Sequence, residues 1–222
     1  MKNRVQKSKT TPRLALLLGC ILFSDGASTA TQSDANVSSD VTRTAIFAGG
    51  CFWCVESDFD GVPGVVRTTS GYTGGQLKNP DYRRVTAGGS GHREAVEIEF
   101  DPRIDTYAQL LDIFWRSVDP TDGGGQFCDR GTSYTTAIFT QSPMQRQLAL
   151  ASKEEIDQAG TLPKPIATTI EDASTFYPAE GYHQDYYTKN PVRYNFYRYS
   201  CRRDSRIEQL WGDQAHRGIN KH

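Results

Sequence analysis

The chain has 222 residues, with 25 Lys+Arg against 26 Asp+Glu and a formal net charge of −1. That balance gives no sign of nucleic acid or an acidic membrane surface as the main partner, so function must come from a local site. The length suits one large domain or two small ones, and the absence of a mid-chain linker favours one, over 44–222.

Residues 1–13 carry Lys2, Arg4, Lys7, Lys9 and Arg13, 14–23 are apolar, and Ser28 and Ala30 are the small residues of a cleavage site. This predicts a secretory signal over 1–30, too short in its apolar run for an ordinary membrane span. A rival reading takes Leu17-Leu18-Gly19-Cys20 as a lipoprotein box with Cys20 lipidated. Either way the mature protein is exported, to the periplasm or beyond, behind a polar lead-in over 31–43.

From Thr44 the pattern alternates. A strand is predicted over 44–48, a helix over 52–59, a strand over 65–72 and a helical turn over 81–85. Glu94-Ala95-Val96-Glu97-Ile98-Glu99-Phe100 alternates polar and apolar residues, as a half-buried strand does. Leu110, Leu111, Phe114, Trp115 and Val118 recur at helical spacing behind Asp105 or Thr106 as N-cap. A Gly-rich loop over 119–131 leads to a strand over 135–140, a helix over 143–158 ending near Gly160, and a strand near 167–170. The rest reads as an irregular, tyrosine-rich tail with a short helix over 207–211. The fold class is α/β (α+β): a two-layer sandwich with a mixed sheet, a ferredoxin-like core and long loops.

The stretch Gly49-Gly50-Cys51-Phe52-Trp53-Cys54 places Cys51 at a strand-to-helix turn, where unpaired N–H groups favour a thiolate. A small buried core cysteine is the plainer reading. Cys51 and Cys54 form a C-x-x-C, the pattern of a redox dithiol or half a zinc site. Zinc is the weaker option, because no second close pair supplies the remaining ligands: Cys128 and Cys201 are far apart in sequence.

Gly50-Cys51-Phe52-Trp53-Cys54-Val55-Glu56, Ser70-Gly71-Tyr72-Thr73-Gly74-Gly75, Asn79-Pro80-Asp81-Tyr82, Gly91-His92-Arg93-Glu94-Ala95-Val96, Asp129-Arg130-Gly131-Thr132-Ser133-Tyr134 and Glu180-Gly181-Tyr182-His183-Gln184-Asp185-Tyr186 follow one another in this order. In this the chain resembles the peptide methionine sulfoxide reductases of the A type, over most of its mature length. The resemblance implies Cys51 as nucleophile, Glu94 as acid, Tyr82 and Tyr134 as the oxygen-binding hydroxyls, Asp129 as an organiser of the pocket, and Phe52 and Trp53 as walls for the substrate methyl group. It implies reduction of the S epimer of methionine sulfoxide, free or in exported proteins, through a Cys51 sulfenic acid. No cofactor or metal is implied. The electron donor is a thioredoxin-type dithiol, and the protein acts as a monomer that meets a membrane only if Cys20 is lipidated.

The resemblance further places the resolving cysteine in the tail, where Cys201 gives an expected Cys51–Cys201 disulfide. Here the chain departs from the family: a tyrosine-rich segment replaces the usual Gly-rich tail, and Cys128 stands before Asp129 with its role open. The alternative from another class is a thiol–disulfide oxidoreductase using Cys51 and Cys54, and a non-catalytic peptide or carbohydrate binder would also suit so many tyrosines.

Overall fold

The computed structural model describes residues 42–220. The signal over 1–30, Cys20 and nearly all of the lead-in lie outside them. In chain order the elements are β1 (Arg43–Ala48), α1 (Phe52–Asp60), β2 (Val65–Thr73), α2 (Tyr82–Thr86), β3 (Arg93–Phe100), α3 (Tyr107–Trp115), β4 (Gly125–Gln126), β5 (Asp129–Arg130), β6 (Ala137–Thr140), α4 (Pro143–Ala159), β7 (Thr169–Asp172), β8 (Tyr177–Pro178), α5 (Tyr186–Lys189), α6 (Pro191–Ser200) and α7 (Arg203–Trp211).

Six strands form one sheet in the order β7-β6-β1-β3-β2-β8. Only the β6–β7 pair is parallel among them, the remaining neighbours being antiparallel, so the sheet is mixed as expected. Alternation along β1 divides the burial: Ala45 and Phe47 join the main core, whereas Ile46 and Ala48 join Ala95, Ala137 and Phe139 in a smaller cluster. On the main face Phe47 lies 4.8 Å from Phe114 of α3 and 5.5 Å from Phe59 of α1, centroid to centroid. Each such ring contributes about 1.5–3 kcal/mol by leaving water. These contacts fix α1, and with it the turn that carries Cys51.

Helix ends follow local chemistry. Thr106 accepts from the Gln109 N–H, and the Gln109 side chain accepts from the Thr106 N–H, a reciprocal pair that starts α3. Ser142 caps α4 ahead of Pro143, and Gly160 ends it in the left-handed region at φ 61°.

Two features differ from the sequence expectation. The tail expected to be irregular is largely helical, as α5, α6 and α7. Pro191 starts α6, Tyr194 is buried from it, and Ile207 and Leu210 are buried from α7, so the aromatic and aliphatic residues pack as helix faces. The Gly-rich loop over 119–131 contains the small hairpin of β4 and β5. Only two residues, Phe127 and Cys128, connect those strands, and the pairing is too short for any periodicity to announce it.

Candidate active site

Cys51 is the N-cap of α1, reached from β1 through Gly49 and Gly50. Gly50 has φ 85°, and a Cβ there would come 2.5 Å from Cβ of Gln126, so both conformation and space demand glycine. Gln126 is itself held, its side chain accepting from the Asp119 N–H at 2.9 Å and donating to the Asp119 carbonyl at 2.8 Å. Arg203 grips the other side of the turn. Its guanidinium donates to the Gly49 carbonyl at 3.1 Å and the Ser117 carbonyl at 2.8 Å, and stands 4.7 Å over the ring of Phe127.

Glu94 lies on β3 opposite Tyr72 of β2 and is 2 % exposed. A carboxyl in so dry a place holds its proton: burial raises its pKa, and the charge of Asp129 adds to the rise. Hydrogen bonds from the Phe52 N–H, at 3.0 Å to Oε2, and from Tyr134 pull the other way, and the balance stands at about 8. Tyr82 and Tyr134 are hydrogen-bonded to each other, and both feel the charge of Glu94. The structure therefore brings together Cys51, Glu94, Tyr82 and Tyr134, with Asp129 beside them on β5.

The thiol expectation needs correction. Cys51 is only 7 % exposed, and its pKa rises because burial, the hydrogen-bonded Cys54, Glu94 and Asp129 all oppose a charge there. The Cys51 hydrogen bond holds Cys54 down, and the Arg203 and Arg198 charges help. The first N–H of α1 serves Glu94.

Phe52 and Trp53 stand beside Cys51 at the start of α1, and the Glu180–Tyr186 motif packs against them. Trp53 Nε1–H donates to Nδ1 of His183 at 3.1 Å, which leaves the ring proton of the neutral imidazole on Nε2. Tyr186 stacks on Trp53 with centroids 3.7 Å apart. Glu180 accepts from the Tyr82 N–H at 2.9 Å and from the Tyr72 hydroxyl at 2.8 Å. The Gln184 amide pairs with both backbone groups of Ser70. Glu56, buried on α1, accepts from the Asp185 N–H at 3.0 Å. Sequence reasoning quoted this motif but missed what Glu180, Gln184 and Glu56 do.

Cys201 is not where the sequence expectation needs it. It forms a disulfide with Cys128, Cα–Cα 5.0 Å, while Cys51 and Cys54 are free thiols. The cause is the fold of the tail: α6 packs Tyr194 against Cys51 and Cys54, and its C-terminal end meets the β4–β5 hairpin. Among the described residues no group of three or more His, Cys, Asp or Glu is placed to hold a metal ion.

A dry acid, two hydroxyls and a thiol pair brought together can protonate an oxygen while sulfur attacks the atom that bears it. The comparisons with known proteins point the same way. The family described as peptide methionine sulfoxide reductase matches residues 43–215. The chain is 53% identical over 176 residues to the peptide methionine sulfoxide reductase MsrA 2 of Rhizobium meliloti (strain 1021), covering 79% of this chain and 87% of that one. It is 49% identical over 174 residues to the peptide methionine sulfoxide reductase MsrA of Bacillus subtilis (strain 168), covering 78% and 98%. Among solved structures, the methionine sulfoxide reductase A of Corynebacterium diphtheriae superposes with a TM-score of 0.61 at 35% identity, over 68% of this chain and 76% of that one. Reduced Mxr1 of Saccharomyces cerevisiae gives 0.61 at 33% identity, over 68% and 86%.

Proposed function

Because the chain belongs to the peptide methionine sulfoxide reductase family, we propose that it reduces the S epimer of methionine sulfoxide, free or in exported proteins, and that a thioredoxin-type dithiol recycles it. The observation that carries the chemistry is Glu94, buried and proton-bearing, bonded to the helix that starts at the nucleophile.

The steps follow from the groups present. The sulfoxide oxygen sits among the Glu94 carboxyl and the Tyr82 and Tyr134 hydroxyls, and Phe52 and Trp53 take the methyl group by apolar and sulfur–aromatic contact. Glu94 protonates the oxygen, which makes the sulfur electrophilic. Cys51 passes its proton to the Cys54 side and attacks, so oxygen moves to sulfur and leaves methionine plus a Cys51 sulfenic acid. A second thiol then displaces water. We propose Cys51–Cys54 as the recycling disulfide: Cys54 is the thiol hydrogen-bonded to Cys51, and Cys201 is bonded to Cys128. Its reduction by the donor dithiol regenerates both thiols and leaves the donor oxidised.

This reading includes export as a monomer. The basic, then apolar, start of the chain supports export, and so does the Cys128–Cys201 cystine, since disulfides persist in oxidising compartments. All the reacting groups come from one chain.

The test is consumption of each sulfoxide epimer by the purified mature chain with a chemical dithiol. The S epimer should disappear and the R epimer remain. Equal loss of both, or of neither, would contradict the reading, and thiol exchange without sulfoxide loss would favour the oxidoreductase alternative.

A further inference from the structure

Cys128 and Cys201 have no part in the steps above, yet they join two elements that each touch the site. Cys128 precedes Asp129 in the chain. Cys201 lies one helical turn beyond Tyr197, and its N–H donates to the Tyr197 carbonyl at 3.0 Å. The Tyr197 hydroxyl in turn donates to Oδ2 of Asp129. The path from Asp129 through Cys128, the disulfide, Cys201 and the last turn of α6 to Tyr197 therefore closes on itself.

We propose that the Cys128–Cys201 disulfide is a clasp that holds Tyr197 on Asp129, and that Tyr197 is a positioning residue for the oxygen-binding side of the site. Three observations support it. Phe127 (φ 54°) and Arg202 (φ 55°) flank the bridge in the left-handed region, where a non-glycine residue persists only when its surroundings over-determine it. The Tyr197 ring meets the Trp53 indole edge-on at 6.0 Å, so the same side chain touches both the carboxylate and the methyl-binding wall. Asp129 is one of the charges felt by Glu94 and Cys51, and a shift of its carboxylate is felt at both.

The inference rests on the reductase reading, and single-turnover kinetics without reductant separate it from any recycling role. The Cys128→Ser/Cys201→Ser double variant should form methionine about tenfold more slowly at saturating sulfoxide, the effect of loosening one hydrogen bond to a charged group. Tyr197→Phe, which keeps the disulfide, should show the same loss with a thermal midpoint close to that of the wild type. The triple variant should be no slower than either, because one contact is lost in all three. A wild-type first-turnover rate in Tyr197→Phe would overturn the proposal. So would a wild-type first turnover in the double variant with recycling lost, which would make the pair an electron relay. A wild-type chain that forms no methionine sinks the reductase reading as well, an outcome distinct from slow variants of an active enzyme.

Discussion

The backbone N–H of Phe52 donates to Oε2 of Glu94 at 3.0 Å. The first N–H of the helix that follows Cys51 is therefore taken by Glu94, which ties the carboxyl to the start of α1. The bond lowers the Glu94 pKa, burial and Asp129 raise it, and the result near 8 leaves a protonated acid at neutral pH.

Glu94→Gln should slow methionine formation by about tenfold to ten-thousandfold, the range for a positioned acid. The amide can still accept from Phe52 but has no acid proton to give. In the wild type the first-turnover rate should fall about tenfold per pH unit above 8, as the acid ionises, and Glu94→Gln should lack that fall. Rapid-quench measurement of methionine across pH checks both.

His183→Phe removes the acceptor of the Trp53 indole N–H, which then stands without a partner in a partly buried place. That costs about 1–3 kcal/mol and frees the indole to turn. The concentration of sulfoxide giving half-maximal rate should rise more than the maximal rate falls, and the indole fluorescence should shift. Unchanged emission and an unchanged half-saturation would show that His183 does not set Trp53.

Stability should fall as pH rises from the ordinary glutamate value of 4.5 through about 7 and 8, where buried Glu56 and Glu94 lose their protons. Both groups are raised, so across that window the folded chain holds protons that the unfolded chain has released. Urea unfolding at several pH values should show the decline, and Glu56→Gln should flatten its lower part. A stability that climbs across the window would contradict the burial argument.

Arg203→Met should cost about 3–5 kcal/mol, as removal of one partner from a buried charge arrangement does. The change strips donors from the Gly49 and Ser117 carbonyls and a cation from beside Asp58. Denaturant midpoints report the loss, and a shift of less than about 1 kcal/mol, the ceiling for a surface pair, would mean that Arg203 only covers the turn.

The main elements were legible because their signals are local: β3 alternates, α3 has a capping box, and α4 has Ser142-Pro143 at one end and Gly160 at the other. Cys51, Phe52, Trp53, Glu94, Tyr82 and Tyr134 were legible through ordered motifs, and the structure brings them together. What could not be read depends on contacts distant in the chain. Arg203 reaches Gly49 across 154 positions, and Glu180 reaches Tyr82 across 98. The pairing of Cys201 follows from the helical fold of a tail whose aromatic residues carry no plain period, so the resemblance pointed to Cys51 where the fold pairs Cys201 with Cys128.

In the proposed reaction Cys51 takes the oxygen and Cys54 resolves it. The test is to treat the mature chain with excess methionine S-sulfoxide in the absence of reductant, then count methionine and map disulfides by mass spectrometry. About one equivalent of methionine per chain is expected, as a single covalent cycle allows, with a new Cys51–Cys54 linkage and Cys128–Cys201 intact. Methionine formed while Cys51 remains an unmodified thiol, or a Cys51–Cys201 linkage with Cys54 free, would contradict it.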